Sequence, residues 1–235
     1  MDDQLPQADR TEEERAYYAL QKRVWPFLAP FYEPAVFLPL HKLRRRVARG
    51  IHLPPGARLL DVATGTGGQA RAFAAKAQEV GCVDLSAAML RVARRTNRAP
   101  NVSFRQADAA RLPFADLSFD AACISFALHE MPAGVRDRVL AEMVRVTKPG
   151  AWIVVVDYRL PANRLARWLA FHLERAYEGV HYAHFMAADL VALLESAGIH
   201  VVEQAPALAG LGRIVIGTRV GHRPGEAGAA GRRNP

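Results

Sequence analysis

Cysteine is scarce in this chain. There are two in 235 residues, Cys82 and Cys123, and each sits inside an apolar run, so both read as small core residues in a reducing compartment. Also missing is any apolar run approaching the ~20 residues a helix needs to span a bilayer. The first residues carry Asp2, Asp3, Asp9, Glu12, Glu13 and Glu14 where a secretory or mitochondrial signal would be basic. These absences predict a soluble cytoplasmic protein. No internal repeat breaks the chain, and with 51% apolar residues one domain with a full core is expected.

Acid is absent from residues 42–49, where Lys42, Arg44, Arg45, Arg46 and Arg49 are concentrated. With the tail 219–235, whose four arginines net three against Glu226, they account for the whole formal charge of +8. A protein that grips a duplex spreads its basic footprint over a folded face, so charge confined to one helix and one tail argues against nucleic acid. Leu40, Leu43, Val47 and Ile51 share one face of that helix, which leaves the cations to solvent, to an anionic membrane surface or to an acidic substrate.

Along the chain, residues 1–12 are polar, acidic and aperiodic, and are expected to be disordered. A helix is predicted over Glu13 to Val24, ending before Pro26. Phe27 to Leu40 is rich in apolar and aromatic residues and broken by Pro30, Pro34 and Pro39, a composition suited to a lid. Residues 13–55 are therefore read as a helical, aromatic lid segment and 56–220 as the main domain. Within that domain, strands near 57–62, 79–83, 101–105, 119–125 and 151–157 alternate with helices near 68–77, 86–96 and 134–146. Such alternation makes a parallel sheet covered on both faces. Further helices are expected near 162–177 and 187–197, then two closing strands at His200–Gln204 and Arg213–Val220. The Gly/Ala/Arg/Pro tail 221–235 is low-complexity.

The most informative stretch is Leu59-Leu60-Asp61-Val62-Ala63-Thr64-Gly65-Thr66-Gly67-Gly68. A short strand ends in a carboxylate, breaks into a glycine turn and opens a helix, so Gly65 and Gly67 let backbone approach a ligand closely. Asp84, at the end of the second apolar run, is placed to accept both hydroxyls of a ribose. The turn also satisfies the loose dinucleotide pattern, which keeps an NAD-binding oxidoreductase open. Asp61 argues against it, because a carboxylate there would repel a pyrophosphate. It suits instead the ammonium of S-adenosylmethionine, a ligand without phosphate.

From Phe27 to Val220 the chain resembles class I S-adenosylmethionine-dependent methyltransferases, most of all the group with the ubiquinone/menaquinone-biosynthesis C-methyltransferases. The resemblance rests on Leu59–Gly68, Val83-Asp84-Leu85-Ser86 with Met89-Leu90, and Ala107-Asp108-Ala109 with Leu112-Pro113-Phe114. It continues through Ser118-Phe119-Asp120, Ala127-Leu128-His129 and Glu142-Met143-Val144-Arg145-Val146-Thr147-Lys148-Pro149-Gly150, all in family order. Ala151 and Glu33 depart from it, where the family commonly has Gly and Asp. The resemblance implies a Rossmann-like seven-stranded, mostly parallel sheet of order 3-2-1-4-5-7-6 with the last strand antiparallel. In that order the first strand separates Cys82 from Cys123. It further implies S-adenosylmethionine as cofactor and S-adenosylhomocysteine as product, with Asp108 and Ala109 at the adenine and Tyr32 over the methionine end.

Ala63, Leu85 and Met89 are expected beside the cofactor, and Ser125 at the C-terminal end of the fourth strand, where such folds bind ligands. His129 is the candidate base for a proton leaving the acceptor, held by its backbone neighbours or Glu130. Tyr17, Tyr18 and Phe31 of the lid, with Asp157, Tyr158, His181 and Tyr182, are the candidate acceptor-binding residues. His181 and His184 have no third ligand at metal spacing, so no metal is expected. The aromatic lid suggests a hydrophobic small-molecule or lipid-like acceptor, methylated on a quinone-type carbon, an oxygen or an amine. An RNA or protein methyltransferase is the alternative, although Ser125-Phe126-Ala127-Leu128 lacks the Asn/Asp-Pro-Pro-aromatic motif used on amino groups.

Overall fold

The structure, a computed structural model, describes residues 10–159, 185, 186 and 188–221, the side chains of 34–39 excepted. The helix expected near 162–177 and the candidates His181 and Tyr182 lie outside these residues, as do 1–9 and 222–235.

Strands β1 (Arg58–Val62), β2 (Glu79–Asp84), β3 (Val102–Gln106), β4 (Phe119–Ser125) and β5 (Thr147–Tyr158) are parallel. β6 (Ile199–Ala207) and β7 (Gly212–Arg219) form an antiparallel pair, and β7 runs antiparallel to β5. The sheet order is β3-β2-β1-β4-β5-β7-β6, as the family resemblance implied. Asp61 on β1 is in register with Cys82 on one side and Cys123 on the other. Both thiols are free and buried, and burial raises the pKa of each.

One face of the sheet is covered by α4 (Ala133–Val146) and α5 (Leu190–Ser196), packing Val139, Leu140, Met143, Leu190 and Leu194. The other face is covered by the C-terminal half of α1 (Glu12–Arg49) and by α2 (Gly68–Phe73), through Leu43, Val47 and Phe73, with Ile51 just beyond α1. α3 (Ala87–Thr96) lies against β3 and is capped by Ser86, whose Oγ accepts from the Met89 amide at 3.3 Å.

α1 departs from the sequence reading. The helix expected to stop before Pro26 instead runs 38 residues, through four prolines. Pro26 and Pro30 sit on the exposed side, so the carbonyls they leave without an amide partner belong to residues that water reaches. The opposite face buries Tyr18, Ala29, Leu40, Leu43 and Val47, and that tertiary burial outweighs the proline penalty. The start is also fixed: Thr11 and Glu14 form a reciprocal capping box, and Arg10 is buried with its guanidinium 3.9 Å from the centre of the Tyr18 ring. The helix and its cap therefore begin inside the stretch 1–12 that the sequence reading gave as disordered, one residue ahead of the expected start at Glu13.

Glu33 pins α1 to the glycine turn. Its carboxylate accepts from Thr66 Oγ1 at 2.7 Å, from Arg44 at 2.9 and 3.3 Å, and from Arg71 at 3.3 Å. Burial alone would raise the Glu33 pKa, but these partners outweigh it and hold the carboxyl below its usual range. Arg44 lies so flush on Gly68 that a Cβ there would fall 2.1 Å from its Cζ. Arg44, grouped from sequence with the solvated cations, is thus turned inward. Removing Glu33 strands a largely buried cation. Allowing for the partial exposure of Arg71, Glu33→Ala should cost about 2–4 kcal/mol and lower the thermal midpoint by roughly 5–15 °C. An unchanged midpoint by calorimetry would show that α1 is held by its apolar face alone.

Candidate functional site

Three parallel strands in a row each end in an aspartate. Asp61 is the penultimate residue of β1, Asp84 closes β2, and Asp108 follows β3 by two residues. Ala63, Gly65 and Gly67 have positive φ, which turns the chain away from β1 sharply enough to open a cleft above these strand ends.

Each carboxylate is set by local hydrogen bonds. Asp61, 1% exposed, accepts from Thr64 Oγ1 at 2.5 Å. Burial pushes its pKa up to about 7, against the lowering pull of Thr64 and Arg44. Asp84 accepts from the Gly65 amide at 2.7 Å and the Ser86 amide at 2.8 Å, one on each oxygen. Burial again dominates and raises it to about 6. Asp108 spends Oδ1 on the Ala110 amide at 2.9 Å, while its buried Oδ2 has no hydrogen-bond partner. Arg10 Nη2 is 3.8 Å from that oxygen, and the buried Tyr18 hydroxyl lies near enough for Asp108 to help hold its proton without a well-formed hydrogen bond. Such orphaned groups are costly unless a ligand completes them.

The cleft is open on one side, and its space, counted together with the solvent at its mouth, is about 1090 Å³. Its floor is the three aspartates with Ala63, Gly65, Leu85, Met89, Ala109 and Ser125, and α1 supplies a wall through Tyr17, Tyr18, Gln21, Trp25 and Tyr32. Twelve candidates from the sequence therefore meet in one place. Tyr17 is half-buried, and desolvation, then the Glu130 charge, hold its hydroxyl protonated well above the usual range. Tyr32 is pushed up to about 12 by the same desolvation. α1 is also tied across the cleft: Gln21 Nε2 donates to Glu130 Oε2 at 2.9 Å, and Trp25 Nε1 donates to Gln21 Oε1.

Other candidates fall elsewhere. Gly67 faces away from the cleft, and a Cβ on it would meet Phe104 at 3.1 Å and Ala93 at 3.2 Å, so its role is packing beneath α3. Phe31 is 73% exposed. Adjacent helix residues point about 100° apart, so turning Tyr32 into the cleft turns Phe31 out of it. Asp157 is fully buried and holds other groups in place: it accepts from His129 Nδ1 at 2.7 Å, from the Leu128 amide at 3.0 Å and from the Tyr158 amide at 2.8 Å. His129 is 2% exposed, drawn inward by Asp157 and stacked edge-on against Tyr158 with ring centres 4.8 Å apart. The side chain that borders the cleft at this point is Glu130, whose Oε1 is 3.8 Å from His129 Nε2.

Arg10, Gln21, Thr64 and Thr66 contribute without having been singled out from sequence. The Thr residues lay inside the quoted turn and could have been read as hydroxyl donors to its neighbours. Arg10 lay in a stretch read as disordered. Three aspartates in line, two of them with raised pKa and one with an open oxygen, can take an elongated ligand that offers a cation, a diol and an amino group. They suit no pyrophosphate.

Comparison with known proteins fits this geometry. Residues 59–150 match the family model described as a methyltransferase domain. A demethylmenaquinone methyltransferase of Renibacterium salmoninarum is 44% identical over 118 residues, covering 50% of this chain and 48% of that protein. The chain thus spans about half the length of the first relatives it matches. A demethylmenaquinone methyltransferase of Parafrankia sp. is 38% identical over 200 residues and 77% of each chain. A ubiquinone/menaquinone biosynthesis C-methyltransferase of Bordetella parapertussis is 35% identical over 189 residues, 71% of this chain and 72% of that one. Among solved structures, an S-adenosylmethionine-dependent methyltransferase from Aquifex aeolicus superimposes with a TM-score of 0.65 at 20% identity, over 83% of this chain and 98% of its own.

Proposed function

The chain belongs to the family of the demethylmenaquinone and ubiquinone/menaquinone-biosynthesis C-methyltransferases, and on that premise we propose that it is an S-adenosylmethionine-dependent methyltransferase acting on a hydrophobic, quinone-type small molecule. The observation that carries the reading is the row of Asp61, Asp84 and Asp108 at three adjacent strand ends. The open Oδ2 of Asp108 would accept from the adenine amino group, Asp84 from the ribose hydroxyls and Asp61 from the methionine ammonium. When bound, S-adenosylmethionine supplies a methyl already activated by a sulfonium, available to an aligned nucleophile in one in-line displacement.

This chain's own residues bind, orient and exclude water. α1 walls the cleft with Tyr17, Trp25 and Tyr32, whose rings shape an apolar place for the acceptor beside Ser125 and Ala127. Alignment of two reactants in such a site can supply roughly 7–11 kcal/mol of barrier reduction. The proton that the acceptor must lose is taken up by the array of Glu130, His129 and Asp157. Asp157, accepting from Nδ1, leaves Nε2 of His129 directed at Glu130 as the basic nitrogen and stabilises the imidazolium that forms. The exposed cations Lys42, Arg45, Arg46 and Arg49 favour peripheral contact with an anionic membrane surface.

The test is titration calorimetry with S-adenosylmethionine, S-adenosylhomocysteine and NADH. Micromolar binding of both sulfur ligands and none of NADH is the expected result, and binding of NADH alone would overturn the reading. The pH dependence has a definite sign. Burial keeps protons on Asp61 up to about 7 and on Asp84 up to about 6 in the free protein. These raised values favour the folded state at low pH, and that contribution is lost as pH rises through them. Ligand donors need both carboxylates ionised, so binding expels the protons. Affinity for S-adenosylhomocysteine should fall as pH drops from 7 toward 5, by up to about tenfold per unit for each group. A flat profile would show that neither carboxylate meets the ligand.

A further inference from the structure

α1 has two faces of different character. The inner face carries the cleft wall and the core residues Tyr18, Trp25, Ala29, Tyr32, Leu43 and Val47. On the opposite side Leu20, Phe27 and Phe31 are 55%, 75% and 73% exposed. They stand seven and four residues apart, which at about 100° per residue places them within one narrow stripe. Arg23 flanks the stripe between Leu20 and Phe27, and continued along the helix the stripe meets Lys42, Arg45 and Arg49, all exposed. Between Arg15 and Arg58 the only acid is Glu33, and that one is buried on Thr66, Arg44 and Arg71.

Large exposed aromatics on a soluble face signal a surface that is covered in use. Three features choose what covers it. The stripe alternates from apolar to cationic along a single helix, its charge is of one sign, and no helix among the described residues is long and apolar enough to cross a membrane. A second copy of this chain would bring the same positive charges face to face.

We infer that α1 docks on an anionic lipid bilayer by the Leu20–Phe27–Phe31 stripe, with Lys42, Arg45 and Arg49 on the lipid phosphates and the cleft on its far side. The inference rests on the membrane contact proposed above and adds its insertion site and orientation. Aromatic side chains settle at the boundary between headgroups and acyl chains, and each nearby cation adds attraction to an anionic leaflet. In this pose α1 is the partition between bilayer and cleft, so an apolar acceptor dissolved in the membrane reaches the site around one helix and crosses little water. The displacement of Phe31 from the expected acceptor pocket is then accounted for: it faces the bilayer.

The full chain should be sedimented with vesicles of phosphatidylcholine alone and of phosphatidylcholine with phosphatidylglycerol, at low and high salt. Partitioning at least about tenfold stronger on the anionic vesicles is expected, weakened by salt. Phe27→Ala/Phe31→Ala should lower it about tenfold or more, and Lys42→Ser/Arg45→Ser/Arg49→Ser should erase the difference between the two vesicles. Neither set should change S-adenosylhomocysteine affinity, because none of these side chains borders the cleft. Failure of that ligand to bind wild type would sink the methyltransferase reading and leave the vesicle result standing. Wild type remaining in the supernatant, or equal binding to both vesicles, overturns the docking. So would a dimer by light scattering that Phe27→Ala/Phe31→Ala dissolves, or binding to single-stranded RNA without binding to vesicles.

Discussion

Asp84→Ala should weaken S-adenosylhomocysteine binding by roughly two to four orders of magnitude, since a hydrogen bond to a charged group is worth about 1.5–3 kcal/mol and a ribose offers two. The carboxylate does a second job, holding the Gly65 amide at 2.7 Å and the Ser86 amide at 2.8 Å. Alanine therefore loosens the glycine turn as well as the ribose contact. Asp84→Asn separates the two: it removes the charge, keeps one acceptor oxygen, and should cost about tenfold, the value of one charge-assisted bond reduced to a neutral one. Calorimetric titration of both variants, with circular dichroism to confirm the fold, decides the matter. Undiminished affinity in a folded Asp84→Ala protein would remove β2 from the binding site.

His129→Ala should lower the rate of methyl transfer to a quinol-type acceptor by about 10²–10⁴, the usual contribution of a positioned acid or base. Cofactor affinity should not move, because His129 lies behind Glu130 and not on the cleft floor. Asp157→Asn presents a subtler case. Asp157 accepts three hydrogen bonds, and an amide can satisfy only some of those donors. It would also free His129 to adopt the other tautomer, so the rate should fall with the apparent base pKa of the pH–rate profile shifted down. Labelled-methyl assays across pH, at saturating S-adenosylmethionine, read this directly. A His129→Ala rate equal to wild type would move the proton acceptance to Glu130 or to water.

What could be read from sequence depended on how local the cause was. Asp61, Asp84 and Asp108 were legible because strand ends are fixed by short apolar runs, and a parallel sheet lines those ends up. α1 was misread because Pro26 and Pro30 are strong local signals, while the burial that overrides them comes from residues far along the chain. The Glu33 anchor was invisible for the same reason: its partners Thr66 and Arg71 are 33 and 38 residues away. Asp157 illustrates a middle case. Its place at the end of a strand could be predicted, but whether the carboxylate turns toward the cleft or toward His129 depends on a hydrogen bond spanning 28 residues.

The registers that set Asp61 between Cys82 and Cys123 have one more consequence. Both thiols are buried in the middle of the sheet with their protons held by desolvation, and alkylating reagents attack the thiolate. Both lie on the face that the C-terminal half of α1 and α2 cover, so a reagent in solution meets them only when that layer lifts. Their labelling rate therefore counts the lifting of that helical layer from the sheet, so the molecule carries its own clock for how often the C-terminal half of α1 and α2 come away from the strands.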